Sequence, residues 1–126
     1  MILLDTNAWI WMNFNSPRLS RAARKAILEA DTLSIATISL WEVGMLVSKG
    51  RINLPLPLLE WLVGACALSS LRILPITPEI AAASASLPIH GDPADRLIVA
   101  TAMQSACPLV TADENIQKAR AVETIW

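Results

Sequence analysis

Met1-Ile2-Leu3-Leu4-Asp5-Thr6-Asn7 is a short apolar run that stops at a carboxylate, and the pattern returns near the other end as Pro108-Leu109-Val110-Thr111-Ala112-Asp113. Each reads as a brief buried strand with an acid at its carboxyl end. Working outward, Leu33–Ala36 and Leu71–Leu74 read as two more strands, and Val122–Trp126 as an edge strand. Helical stretches lie between them: Ser20–Ala30, Ser39 to Lys49 with Gly50 as stop, Pro57–Ser70, Pro78–Leu87, and a helix capped by Asp92, opened by Pro93 and reaching Ala106. Strands alternating with helices predict an α/β fold, a mostly parallel sheet covered by helices. In such a sheet the ligand site lies beyond the carboxyl ends of the strands, where Asp5 and Asp113 would both emerge.

The bulk properties bound the class. At 126 residues and 13.7 kDa the chain is expected to form one domain over residues 1–126, with a real core and no need of staples. Hydrophobic residues make up 54% and charged residues 17%, against roughly 45–50% and about 25% in ordinary soluble domains, so some apolar surface is expected to meet a partner. A net charge of −1 excludes a general polyanion binder, and nucleic-acid contact would need a local basic patch. Arg18, Arg21, Arg24 and Lys25 crowd one stretch, and Lys49 and Arg51 flank Gly50; both groups also suit solvated helix faces. Cys66 and Cys107 have no metal-ligand spacing and point to reduced, cytoplasmic thiols. No basic segment precedes the first apolar run, as expected of a chain without a signal peptide. Pro55, Pro57, Glu60, Arg72 and Pro75 interrupt the apolar stretch Leu54–Ile76, which argues against a membrane span.

Asp5, Glu42, Asp95 and Asp113 all sit where a strand stops or a helix starts. Each has a local explanation. Asp5 and Asp113 suit turns or helix caps, Glu42 could close a capping box with Ser39, and Asp92 and Asp95 suit a helix start. Jointly they suggest more, because parallel strands would bring them into one crevice. Two unit charges about 4 Å apart repel by about 4 kcal/mol at an effective dielectric of about 20, so protons or a hard cation must offset such a cluster. Carboxylates without His or Cys suit Mg²⁺ or Mn²⁺, and the single His90 cannot build a zinc centre. Such ions activate water and hold a phosphodiester for in-line attack, which makes phosphodiester hydrolysis the natural reaction. Asn7 could orient Asp5 or simply turn the chain, and Thr111 could donate to a carboxylate or simply pack as a strand residue. His90 reads as a loop or packing residue.

Four segments together resemble the PIN-domain ribonucleases, specifically the VapC-type toxins of bacterial toxin–antitoxin pairs. These are Asp5-Thr6-Asn7 after the first strand, Ser39-Leu40-Trp41-Glu42, His90-Gly91-Asp92-Pro93-Ala94-Asp95-Arg96-Leu97-Ile98, and Leu109-Val110-Thr111-Ala112-Asp113-Glu114-Asn115-Ile116. The resemblance covers nearly the whole chain in the right order. It implies a PIN-like three-layer α/β/α sandwich in which Asp5, Glu42, Asp95 and Asp113 bind Mg²⁺ or Mn²⁺, with Asp92 as helix cap and outer support. It further implies endonucleolytic cleavage of RNA, a small cognate antitoxin and a homodimer. Lys49-Gly50-Arg51-Ile52-Asn53-Leu54-Pro55 is also typical of the family. Its cations could guide a phosphate backbone toward the acids or complement a helix dipole.

Trp9, Trp11, Trp41, Trp61 and Trp126 are many indoles beside one Phe and no Tyr. Most are expected in the core. Trp9 and Trp11 cannot share one helix face, so one of them is expected at an antitoxin or subunit surface. Two competing readings stand beside the nuclease. A haloacid-dehalogenase-type phosphatase would need a second aspartate where Asn7 stands, and a non-catalytic protein-binding module would use the acids only as caps.

Overall fold

The computed structural model describes residues 1–68 and 70–126. Five strands, β1 (Ile2–Leu4), β2 (Leu33–Ala36), β3 (Leu71–Leu74), β4 (Leu109–Val110) and β5 (Thr124–Ile125), form one sheet in the order β3-β2-β1-β4-β5. Every pairing is parallel. The first strand of the chain therefore lies at the centre, with Leu4 opposite Ile35 on one side and Val110 on the other. Asp5 and the acid-bearing segment after β4 consequently leave the sheet at the same edge.

Among the described residues, seven helices cover the two faces: α1 (Thr6–Asn13), α2 (Arg21–Glu29), α3 (Ile38–Ser48), α4 (Leu58–Cys66), α5 (Pro78–Ser86), α6 (Pro93–Ser105) and α7 (Glu114–Ala119). The pleat sends alternate side chains to opposite faces. Ile2, Leu4, Ile35 and Val110 pack against Trp9, Ala23, Val43 and Trp61 of α1 to α4. Leu3, Ala36 and Leu109 pack against Ile80, Ile98, Val99 and Ile116 of α5 to α7. Residues apolar on consecutive positions are what a centre strand with both faces covered requires, and Leu3 and Leu4 are fully buried. The result is the three-layer α/β/α sandwich, with a sheet wholly rather than mostly parallel.

Four sequence expectations shift. α1 follows Asp5 immediately, although its low amphipathicity gives the sequence no clear limits for it. α3 starts at Ile38, and its cap residue Thr37 makes no side-chain cap bond, so Ser39 and Glu42 form no capping box. α4 ends at Cys66, short of Ser70, and Ser69 lies outside the described residues. The Leu71 N–H bonds the Leu68 carbonyl at 3.0 Å at the start of β3, which runs parallel to β2. The tryptophans also redistribute. Trp9 and Trp61 are buried edge-to-face at 5.6 Å, and Trp11 is half-buried against Trp126 at 5.7 Å. The indole left in solvent is Trp41, at 55% exposure, because its neighbours Val43 and Leu40 take the inward face of α3.

Candidate active site

Asp5 terminates the central strand and is only 7% exposed. Its Oδ1 accepts from the Ala8 N–H at 2.7 Å, capping α1. Asp113 caps α7 in the same manner, its Oδ1 accepting from the N–H groups of Asn115 and Ile116 at 2.8 and 3.0 Å. Asp92 caps α6 through the Ala94 N–H at 3.0 Å, and Asp95 stands in the first turn of that helix. The capping roles open to these residues in the sequence are thus real. They do not exhaust the arrangement, because Asp5, Glu42, Asp92, Asp95 and Asp113 all line one cleft of about 300 Å³, with Thr6 and Asn7.

Five carboxylates from four separate stretches of chain face one volume, and their protonation reflects it. Burial pushes Asp5 up to about 6, aided by the Asp113 charge and opposed by hydrogen bonds from Thr111 and Ala8. Asp95 is pushed up to about 7, first by burial and then by the charges of Glu42, Asp113, Asp92 and Asp5. Glu42 is raised by burial, an effect partly countered by its bond from Thr6 and reinforced by Asp92 and Asp5. Burial in a partly dry cleft is the common leading cause, and the neighbouring carboxylates add to it. A strained, charged cluster of this kind marks a functional site more often than a structural one.

Hydroxyls hold the carboxylates in place. The Thr6 hydroxyl bridges Glu42 Oε1 and the buried Ser39 Oγ, the latter at 2.9 Å. Thr6 has one proton, which goes to the carboxylate, so the Ser39 hydroxyl completes the second contact. Thr111 is fully buried; its hydroxyl bonds Asp5 and accepts from the Asp113 N–H at 3.1 Å. One threonine thus ties together the acids that follow β1 and β4. Asn7 lines the cleft, and among the described residues no hydrogen bond joins its amide to Asp5, whereas the Thr111 hydroxyl does bond that aspartate. In the sequence Ser39 has a capping role and Thr6 only a place in a motif, and their contact beside Glu42 is missed. The usable signal was a hydroxyl directly after Asp5, at a helix start where it must be buried.

The basic residues separate into two groups. Lys49 and Arg51 are exposed and line a second cleft that shares Glu42 and Asp92 with the first. The Arg18–Lys25 stretch lies elsewhere, and Arg24 is committed to the Asn15 side chain and the Ser16 carbonyl at 3.1 and 2.7 Å. His90 is exposed in a different cleft with Lys118 and Asn115 and does not line the acidic one.

The donors facing the acidic cleft are carboxylate oxygens with no His or Cys among them, the chemistry that suits a hard divalent cation. Among the described residues, no three acidic, His or Cys side chains converge as a preformed cage. Mg²⁺ does not need one, since it keeps several waters and takes one or two carboxylates directly. The raised carboxyls of Asp5 and Asp95 supply the second half of the fit, because a cation would offset both the burial of their charge and the repulsion among them.

The fold and the sequence have known counterparts. The chain is 40% identical to Ribonuclease VapC22 of Mycobacterium tuberculosis, with 99% of this chain and 98% of that protein aligned. Two solved structures share the fold: FitAcB from Neisseria gonorrhoeae, at TM-score 0.70 and 24% identity over 98% of this chain and 96% of that one, and the Sarcin-Ricin loop cleaving toxin VapC20 of M. tuberculosis, at TM-score 0.70 and 14% identity over 98% of each. Residues 2–122 match the PIN domain. The all-parallel order around β1, the acids at its carboxyl edge and the full-length likeness to a VapC protein lead to one assignment: this chain belongs to the PIN domain family, in its VapC branch.

Proposed function

We propose that the protein is an endoribonuclease toxin that hydrolyses RNA phosphodiester bonds with Mg²⁺ or Mn²⁺ and is restrained by a small cognate antitoxin. The observation carrying this reading is the cleft itself, in which five carboxylates meet and Asp5 and Asp95 are pushed up to about 6 and about 7. The 40% identity to a protein named a ribonuclease supports the substrate class. Asp5, Glu42, Asp95 and Asp113 would hold the ion, with Asp92 reaching it through water. When bound, such an ion lowers the pKa of water and offsets the charge that develops on the phosphate. Thr6 keeps Glu42, and Thr111 keeps Asp5, from turning out of the cleft. Lys49 and Arg51 draw the RNA backbone toward a cleft that would otherwise repel it.

Structures of toxin–antitoxin complexes, including one from Klebsiella pneumoniae with TM-score 0.69, support the antitoxin partner. The exposed apolar residues Leu28 of α2 and Leu59 and Val63 of α4, at 83%, 73% and 62%, are available surface for it. Homodimerisation and action in the cytoplasm complete the reading. Among the described residues no helix is long and apolar enough to cross a membrane.

The test is cleavage of cellular RNA by purified, antitoxin-free protein. Cleavage should require Mg²⁺ or Mn²⁺, and Asp5→Asn and Asp95→Asn should each reduce it about 100- to 1,000-fold while the fold survives, the usual scale for losing charge stabilisation at a reacting centre. A protein that cleaves no RNA with either ion would sink the proposal. Because Asp5, Asp92 and Asp113 do cap helices, a non-catalytic binding module is the second reading. It requires that both Asn variants leave every measured property except stability unchanged.

A further inference from the structure

Trp41 stands one residue before Glu42, yet its indole is 55% exposed while Trp9 and Trp61 are buried. Leaving so large an apolar surface in water is unfavourable unless it meets something. Its surroundings are specific. Trp41, Met45 and Lys49 recur every four residues and so form one stripe along α3, and Arg51 follows just beyond the glycine that ends the helix. These four side chains line a small cleft together with Leu46, Glu42 and Asp92, and the two acids also line the acidic cleft. An aromatic side chain, two cations and two acids thus border one small cleft.

That pattern does not suit an extended apolar partner surface, because four charged side chains share the cleft with the indole. It suits one flat ring joined to phosphates. Single-stranded nucleic acid binds on such sites, a base stacking on an aromatic side chain while nearby cations follow the backbone. Resting on the ribonuclease reading, we propose that Trp41 is the stacking platform for the nucleobase next to the cleaved phosphate, with Lys49 and Arg51 clamping the adjoining phosphate of a single-stranded RNA segment. Trp41 would then select for an unpaired nucleotide at that position, since a base held in a duplex cannot present its face.

The probe is a single-stranded RNA nonamer carrying one 5-iodouridine, mixed with the intact protein in Ca²⁺. Irradiation should cross-link the iodouracil to Trp41, located by peptide mass spectrometry. In fluorescence anisotropy with the same RNA, Trp41→Ala should weaken binding about 5- to 100-fold, the effect of losing one stacked base, and Trp41→Phe should keep it within a few-fold. Lys49→Ala and Arg51→Ala should each lower the slope of log affinity against log salt by about 0.7. Trp41→Ala should leave Mn²⁺ affinity unchanged, which separates loss of the platform from damage to the acids. If the wild type cleaves RNA but cross-links only elsewhere, or Trp41→Ala binds the nonamer as tightly as the wild type, the platform is wrong and the ribonuclease reading stands. If Trp41→Ala instead shifts the sedimentation of the protein from dimer to monomer with RNA affinity intact, a second copy covers the indole and the platform is again wrong. A wild type that neither binds nor cleaves RNA removes both readings.

Discussion

Asp5 and Asp95 show what the site costs its own residues. Asn caps a helix about as well as Asp, so Asp5→Asn should keep the bond from the Ala8 N–H while removing a buried charge. Both Asp5→Asn and Asp95→Asn should therefore melt higher than the wild type in EDTA at pH 7.5, by a few degrees, which differential scanning calorimetry would read. Unchanged or lower melting temperatures would show that the carboxylates are not in conflict. Thr6 and Thr111 set a second test. Thr6→Val and Thr111→Val remove the hydroxyls that position Glu42 and Asp5 at nearly constant volume. Each should weaken Mn²⁺ binding about 10- to 100-fold by titration calorimetry, the range for losing a ligand's supporting hydrogen bond. An effect below twofold would mean the acids are positioned by their caps alone.

The helices decide where these residues stand, and the end of α3 is the most sharply defined. Lys49 closes the helix, the Gly50 N–H bonds the Val47 carbonyl at 3.0 Å, and the Arg51 N–H bonds the Leu46 carbonyl at 2.9 Å. This pair of bonds needs a left-handed residue at Gly50, whose φ is +69°. A Cβ there would meet nothing within 4 Å, so any penalty is purely conformational. Gly50→Ala should cost about 1 kcal/mol in urea unfolding, and it should disturb RNA affinity because Arg51 is aimed by that turn. α6 is held differently. Ile98 is fully buried against the sheet, and the Arg96 Nη2 donates to the Leu87 carbonyl at 2.9 Å, fastening the chain that leads to Asp92.

For the molecule as a whole, the raised carboxyls make stability depend on pH. Asp5 and Asp95 stand at about 6 and about 7 in the fold against 3.8 for an ordinary aspartate. The native state thus binds protons more tightly than the unfolded chain. This contribution is complete below about pH 4 and is lost as pH rises through 6 and 7. For the buried Asp5 alone it is on the order of 3 kcal/mol. In EDTA the melting temperature should fall between pH 5 and pH 7.5, and Mn²⁺ should restore it at pH 7.5 but hardly at pH 5, where protons occupy the same oxygens. A flat profile in EDTA would show that the cleft is better hydrated than its geometry implies.

Much of this was written in linear order. Apolar runs such as Ile2–Leu4 and Leu33–Ala36 specify buried strands because their hydrophobicity is local, and Ser20, Asp92 and Pro93 mark helix starts because caps act within one turn. The motifs around Asp5, Glu42, Asp95 and Asp113 are local strings and carry the likeness to the family to which the chain belongs. Other features depended on neighbours distant in the chain. The hydroxyl contacts of Thr6 with Glu42 and with Ser39 link residues 36 and 33 positions apart, and which tryptophan stays in solvent depends on how α3 is rotated against the sheet. The meeting of five carboxylates in one cleft likewise exists only because β1 lies between β2 and β4. Local sequence sets which backbone forms are stable, whereas electrostatic repulsion and burial are sums over everything nearby in space, and only the tertiary fold brings those neighbours together.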